Sequence, residues 1–348
     1  MAVHDNPDFS RLSTPLAELF ARAAERSFFS LPLWYHVLTR YGTETGSNVR
    51  VYANAAARAA LVCRLSPGRH RLLSLSNYYS IEHGPVYAAG GAALRQALGT
   101  LAREIADARY DAVELLGLDP HDESFAALID AFGAAGLRPQ KYFDNGNWYE
   151  ETVGIDFDRY VAARPSALRN TWKRKSKALA AAHRLDYVFH DDDAALADGV
   201  RDYEAVYAES WKSAEPFPDF MPHLIRAAAT VGALRLGILK VDGVPAAAQC
   251  WLAWHGRVTI YKLAHAKRFD ELSVGTVLTM RMMEHVLERD KPREIDFGRG
   301  DDAYKKSFLS RRRERLSLLI ANPHTVTGRL LAWRGVAVGV AKRVLRRG

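Results

Sequence analysis

Residues 257–308 read RVTIYKLAHAKRFDELSVGTVLTMRMMEHVLERDKPREIDFGRGDDAYKKSF. Apolar and β-branched residues over 257–264 predict a strand, the spacing of 276–289 a helix, and REIDFG a second strand. Between the first strand and the helix lies Ser273-Val274-Gly275-Thr276. A helix opening after a strand offers unpaired backbone N–H groups and the positive end of its dipole, a seat for a pyrophosphate. The second strand is expected to end at Asp296, with Arg299, Asp301, Tyr304 and Lys305 following within the next nine positions. An anion cradle beside a cluster of acid/base groups points to an enzyme transferring a group from a phosphate-bearing donor.

Upstream, LRLGILKV and VPAAAQCWLAW flank Asp242-Gly243, a pair suited to the positive φ angles of a tight hairpin. With the strand at 258 this predicts an antiparallel meander running into the phosphate turn. A basic helix (167–183), the strand LDYVFH and helices at 202–211 and 222–231 precede it. In the first half, AELFARAAERS, PLWYHVLTRYG, the run 91–107 and ESFAALIDAFGAAG read as helices, the last ended by Gly136. VRVYAN, AALVCRLS, RLLSLSN and DAVELLGL read as strands. The alternation predicts an α/β (α+β) layer fold.

The segment LRNTWKRKSKAL, the YK pair at Tyr261-Lys262, the turn LSVGT and the run Asp296-Phe297, Arg299-Gly300, Tyr304-Lys305 resemble the acyl-CoA N-acyltransferase (GNAT) superfamily. Within it the chain is similar to the Fem-like double-domain transferases and to the acetyltransferases associated with bacterial cellulose and exopolysaccharide genes. The likeness covers roughly 155–325 well and the first 150 residues in outline. It departs from the common pattern at the phosphate turn, which has one glycine, Gly275, and so leaves two donors open: acyl-CoA and aminoacyl-tRNA.

The resemblance implies two GNAT-like domains, each a mixed, largely antiparallel sheet flanked by helices. These are 1–155 for acceptor recognition and 156–324 for donor binding and catalysis, with 325–348 a basic amphipathic helix. It implies acyl-CoA, acetyl-CoA first, as co-substrate, bound by Tyr261, Lys262, Lys267, Arg268, Ser273, Val274, Gly275 and Thr276. A backbone N–H of the strand 260–264 would polarise the thioester carbonyl. An amine would attack directly in a ternary complex without a covalent enzyme intermediate. The expected catalytic groups are Asp296 or Asp301 as base, Tyr304 as acid to the leaving sulfur and Lys305 as charge stabiliser. Asn77, Tyr78, Tyr79, His83, Trp148 and Arg299 are expected to contact the acceptor, a small molecule or peptide. Each has a plain structural alternative: Ser273 as an ordinary N-cap, His265 and the 145–148 loop as packing, and 301–306 as a solvated helix face.

The formal charge of +8 favours an anionic partner without choosing among CoA, tRNA and a membrane surface. The excess gathers at 169–177, 311–315 and 342–347. The first places Arg169, Lys173 and Lys177 on one helix face, open to tRNA; the last, with Leu330, Leu331, Val336, Val340 and Val344, suits packing or peripheral membrane contact. A non-catalytic binding subunit of an exopolysaccharide assembly is the alternative from another class. No HExxH, CxxC, GxSxG or Walker A run occurs, so metal, serine-hydrolase and nucleoside-triphosphate chemistry lack support. Cys63 and Cys250 lie in apolar runs and read as buried thiols. The N-terminus lacks a basic-then-apolar leader, and a cytoplasmic location is expected.

Overall fold

The computed structural model describes residues 2–54, 56, 58–192 and 195–333. The described residues form two compact units, one up to 145 together with 314–333, the other 146–313. The sequence reading divided the chain at 155 and 324 instead.

The first unit contains β1 (Ala2–Asp5), α1 (Thr14–Ala24), α2 (Pro32–Tyr41), β2 (Val49–Ala53), β3 (Ala59–Leu65), β4 (Arg71–Ser74), β5 (Val86–Tyr87), α3 (Gly91–Asp107), β6 (Ala112–Leu118) and α4 (Glu123–Ala134). The chain then leaves it within β7 (Arg138–Glu151). In the second unit follow α5 (Phe157–Ala162), α6 (Ser166–Ala182), β8 (Leu185–His190), α7 (Leu196–Ala208), α8 (Phe220–Thr230), β9 (Leu234–Val241), β10 (Val244–Trp254), β11 (Arg257–His265), α9 (Val274–Arg289), β12 (Glu294–Arg299) and α10 (Ala303–Phe308). The return is within β13 (Arg311–Ala321), and residues 326–333 are helical. The rest of the expected C-terminal helix lies outside the described residues. Among those described, no helix is long and apolar enough to cross a membrane.

Each unit repeats one plan. The strand order is β1-β2-β3-β4-β6-β13 in the first and β8-β9-β10-β11-β12-β7 in the second. Every pair is antiparallel except one parallel pair per unit: β4–β6, joined through α3, and β11–β12, joined through α9. In both, the parallel pairing covers three residues. Both second strands carry a glycine at positive φ, Gly117 at 70° and Gly298 at 63°. The helices bury their apolar faces on the sheets: Leu94, Leu98 and Leu101 of α3 against Leu72 and Val113, and Val277, Met280 and Met283 of α9 against Leu239, Val258 and Ile260. The hairpin forms as expected, with Asp242 at φ 52° and Gly243 at 81°.

The two units differ at the start of the crossover helix. In the first, the Glu123 carboxylate accepts from the Gly91 N–H at 2.8 Å, and a Cβ on Gly90 would fall 1.6 Å from that carboxylate. The chain's own anion thus fills the seat at α3. We expect Glu123→Ala to lower stability by about 1 kcal/mol, the usual value of a side chain satisfying a helix N-terminus, read from urea unfolding. An unchanged midpoint would make the contact incidental.

Four strands were missed: the short β1 and β5, and the long β7 and β13. Asn145-Gly146-Asn147-Trp148, expected as a loop, lies inside β7, and the arginine run 311–315 opens β13. Local chemistry argues against strand in β7 and β13, and cross-strand pairing overrides it. The helix expected at 202–211 begins earlier, at Leu196.

Candidate active site

β11 pairs with β12 at Arg257↔Glu294, Val258↔Ile295 and Thr259↔Asp296, then no further, although the strands run on to His265 and Arg299. On its other side β11 follows β10 with a register shift. Cys250 faces Lys262 and Trp251 faces Ile260, so the register steps over Tyr261. Such a bulge bends a strand and raises its twist. The outcome is a wedge-shaped gap between two parallel strands, with the crossover helix starting at its mouth.

α9 starts at that mouth. Ser273 occupies its N-cap position in the left-handed region (φ 57°), but its hydroxyl makes no capping hydrogen bond. The capping reading of Ser273 is therefore corrected: a left-handed residue aims its side chain differently from an extended N-cap. The first turn is held from inside instead. The wholly buried Gln249 amide donates to the Gly275 carbonyl (3.2 Å) and to Thr279 Oγ1 (2.7 Å), and Thr279 donates to the same carbonyl (2.9 Å). With its proton so placed, Thr279 accepts from the Tyr304 hydroxyl at 3.0 Å. A Cβ on Gly275 would stand 3.1 Å from His265 Nδ1, tight enough to require a shift. His265 is itself held by Asp270 at 2.8 Å and packs on Trp211.

Beyond the gap the acid/base cluster divides. Tyr304 is pushed up to about 12, foremost by burial, so it keeps its proton at neutral pH. Lys305 lies beside Phe297 (5.5 Å), donates to the Arg299 carbonyl and is pushed below the ordinary lysine range by burial. Arg299 is half-buried at the strand end.

The two aspartates do not fit the base role. Asp296, 2% exposed, accepts from Asn147 Nδ2 (2.6 Å), the Gly298 N–H (2.6 Å) and Arg313. Nor does it end its strand, which continues to Arg299 past a register shift against β7. Asp301 accepts from Trp148 Nε1 and Arg312 Nε, each at 2.8 Å, and Arg312 foremost holds it below the usual carboxylate range. An ion-paired carboxylate of lowered basicity is a poor proton acceptor. It explains Gly146 instead, where a Cβ would come within 2.8 Å of Asp301. Trp148, expected to touch the acceptor, is thereby tied to Asp301 within the second unit.

Lys262, expected to bind the donor, has neighbours the sequence reading did not name, Glu215 and Lys212. Lys262, 8% exposed, pairs with Glu215 at 2.9 Å, and Glu215 also accepts from the Tyr207 hydroxyl at 2.5 Å. Lys212 lies 5.7 Å from the Tyr207 and Trp211 ring centres. Burial first, then Lys262 and Lys305, push it down to about 8 against the pull of Glu215. The WKSAEPFPD stretch carries no periodicity or motif; only an acid and a lysine within four residues of a proline-rich loop hinted at a site.

Of the other expected residues, Arg268 pairs with Glu209 at 3.1 Å, and Lys267 is exposed one residue before it. Asn77, Tyr78, Tyr79 and His83 belong to the first unit. Asn77 donates to the Gly42 carbonyl, Tyr78 is exposed, Tyr79 is buried, and burial pushes the His83 imidazole down to about 4. Both cysteines are buried free thiols, pushed up to about 12 by burial.

Residues 166–306 match the family model described as acetyltransferase (GNAT) domain. That stretch is a GNAT-type acyltransferase domain, and the chain as a whole has a tandem GNAT-like fold. Three solved structures share the fold. One, described as FemX, is 11% identical, with 92% of this chain and 98% of that one covered and a TM-score of 0.61. The C-terminal domain of a lysylphosphatidylglycerol synthetase homologue from Agrobacterium fabrum is 13% identical, with 92% and 96% covered and a TM-score of 0.54. A tandem GNAT protein from the clavulanic acid biosynthesis pathway is 14% identical, with 93% and 100% covered and a TM-score of 0.50. No curated protein sequence matches the chain.

Proposed function

We propose that the chain moves an acyl group from acyl-CoA, acetyl-CoA first, to an amine by direct attack in a ternary complex. The observation that carries this is the parting of β11 from β12 after Thr259, next to the start of α9. The first-turn amides at Val274, Gly275 and Thr276, with Lys267 and Arg268 nearby in sequence, suit a pyrophosphate. The edge of β11 facing the gap suits an extended pantetheine arm, with a backbone N–H toward the thioester oxygen. The thioester supplies an activated acyl carbon and a thiolate leaving group. Tyr304 holds its proton for that thiolate, and Lys305 supports the negative charge that builds there. Both aspartates are held by arginines, so the proton the amine sheds leaves through water. Thermal shift with acetyl-CoA, longer acyl-CoAs and bulk tRNA tests it; stabilisation by tRNA alone would refute it.

A second donor, aminoacyl-tRNA, is favoured by one observation: Arg169, Lys173, Arg174 and Lys177 of α6 are all exposed. The structures described as FemX and as a lysylphosphatidylglycerol synthetase homologue share the fold. On this reading, neutralising Lys173, Arg174 and Lys177 weakens tRNA binding and flattens its salt dependence by about one unit of slope for each phosphate no longer engaged. Filter binding between about 50 and 200 mM salt, where phosphate pairing weakens steeply, measures this. Equal slopes for parent and variant would remove α6 from tRNA binding.

A further inference from the structure

A buried hydrogen-bond chain runs behind the candidate site, and a donor-only group fixes its direction. The Trp251 indole N–H donates to Gln249 Oε1 at 2.9 Å. That leaves Gln249 Nε2 to serve Thr279 Oγ1 at 2.7 Å and the Gly275 carbonyl at 3.2 Å. Trp251, Gln249 and Thr279 are all wholly buried, out of reach of solvent. The Gly275 carbonyl has two lone pairs but three claimants. These are the Gln249 amide, the Thr279 hydroxyl at 2.9 Å and the Thr279 backbone N–H that continues the helix. Of the three, only the hydroxyl is a free rotor with a second acceptor in reach, the Tyr304 oxygen at 3.0 Å. Thr276, one turn earlier on the same helix face, hydrogen-bonds that oxygen as well.

Resting on the acyl-transfer reading, with Tyr304 as the acid, we infer that Thr279 is a positioning residue whose hydroxyl changes acceptor during turnover. Before reaction it donates to the Gly275 carbonyl and accepts from Tyr304. As the thiolate forms, the Tyr304 proton passes to sulfur, and the Thr279 hydroxyl turns onto the phenolate oxygen. Gln249 and the helix N–H keep the carbonyl satisfied meanwhile. A hydrogen bond to an ionised oxygen is roughly twice as strong as one to a neutral carbonyl, so the exchange stabilises the phenolate as it appears. Atoms and protons balance. The amine nitrogen bonds to the acyl carbon, the carbon–sulfur bond breaks, the amine proton goes to water, sulfur takes the Tyr304 proton, and water returns one to the phenolate.

The test reads the phenolate directly. With 3-fluorotyrosine in place of Tyr304, whose fluorine brings the phenol within reach of titration, fluorine NMR follows its ionisation in the full chain. Thr279→Val removes a donor to the charged form, so the titration midpoint should rise by about one pH unit, the worth of one hydrogen bond to a charged group. Thr279→Ser should restore it, with melting temperatures recorded for all. A midpoint unmoved by Thr279→Val, or not restored by Thr279→Ser, overturns the inference. Single-turnover rates with saturating acetyl-CoA and hydroxylamine as the amine are read alongside. Thr279→Val should slow the parent about 10-fold, the same hydrogen bond expressed as a rate, and slow Tyr304→Phe no further, while acetyl-CoA affinity holds. Equal losses in both backgrounds would make Thr279 structural and overturn the inference as well. A parental rate in Tyr304→Phe would refute the acid role itself, which the titration distinguishes from failure of the inference.

Discussion

Gly275→Glu is expected to weaken acyl-CoA binding by about 10²-fold or more, since placing like charges together costs several kcal/mol. Gly275 lies in the first turn of α9, where backbone N–H groups have no partner inside the helix. A carboxylate there competes for the same amides and repels the donor pyrophosphate. The first unit supplies the precedent: Glu123 already occupies the Gly90-Gly91 seat at the start of α3. Because a side chain at 275 also presses on His265, Gly275→Ala separates crowding from charge. The alanine variant should keep most donor affinity after His265 moves a few tenths of an ångström. Calorimetry with acetyl-CoA on both variants, with melting temperature recorded, is the measurement. Unchanged affinity in a folded Gly275→Glu protein would remove the donor from this turn.

Lys305→Ala should lower the single-turnover rate about 10²-fold at saturating donor, the scale of one charge-stabilising group. Acetyl-CoA affinity should hold. Lys305 is drawn into a half-buried position beside Phe297 at some cost to its charged form. Tyr304→Phe should cost less than Lys305→Ala if water replaces the hydroxyl. With Tyr304 pushed up to about 12, no loss of rate from its ionisation is expected between pH 6 and 9, roughly three units short of that value at the upper end. Near-parental rates for both Lys305→Ala and Tyr304→Phe would make α10 structural.

What the sequence by itself determined lies in short-range signals. The Asp242-Gly243 hairpin, the strand–turn–helix at 257–289 and the apolar spacing of α3 and α9 follow from backbone propensities and periodicity, which act within a few residues. They were enough for the α/β class and for the GNAT resemblance. The tertiary structure decided the rest. β7 and β13 contain Asn-Gly and arginine runs that argue locally for loop, yet Asn147 pairs opposite Arg299, and Arg313 bonds Asp296 and Glu294 from far along the chain. The same long-range pairing turned Asp296 and Asp301 from candidate bases into fixed partners of arginines. Glu215 meets Lys262 only because the segment between α7 and α8 carries it there. A titrating group's role depends on burial and neighbouring charge, and those neighbours are set by the fold, not by adjacency in sequence.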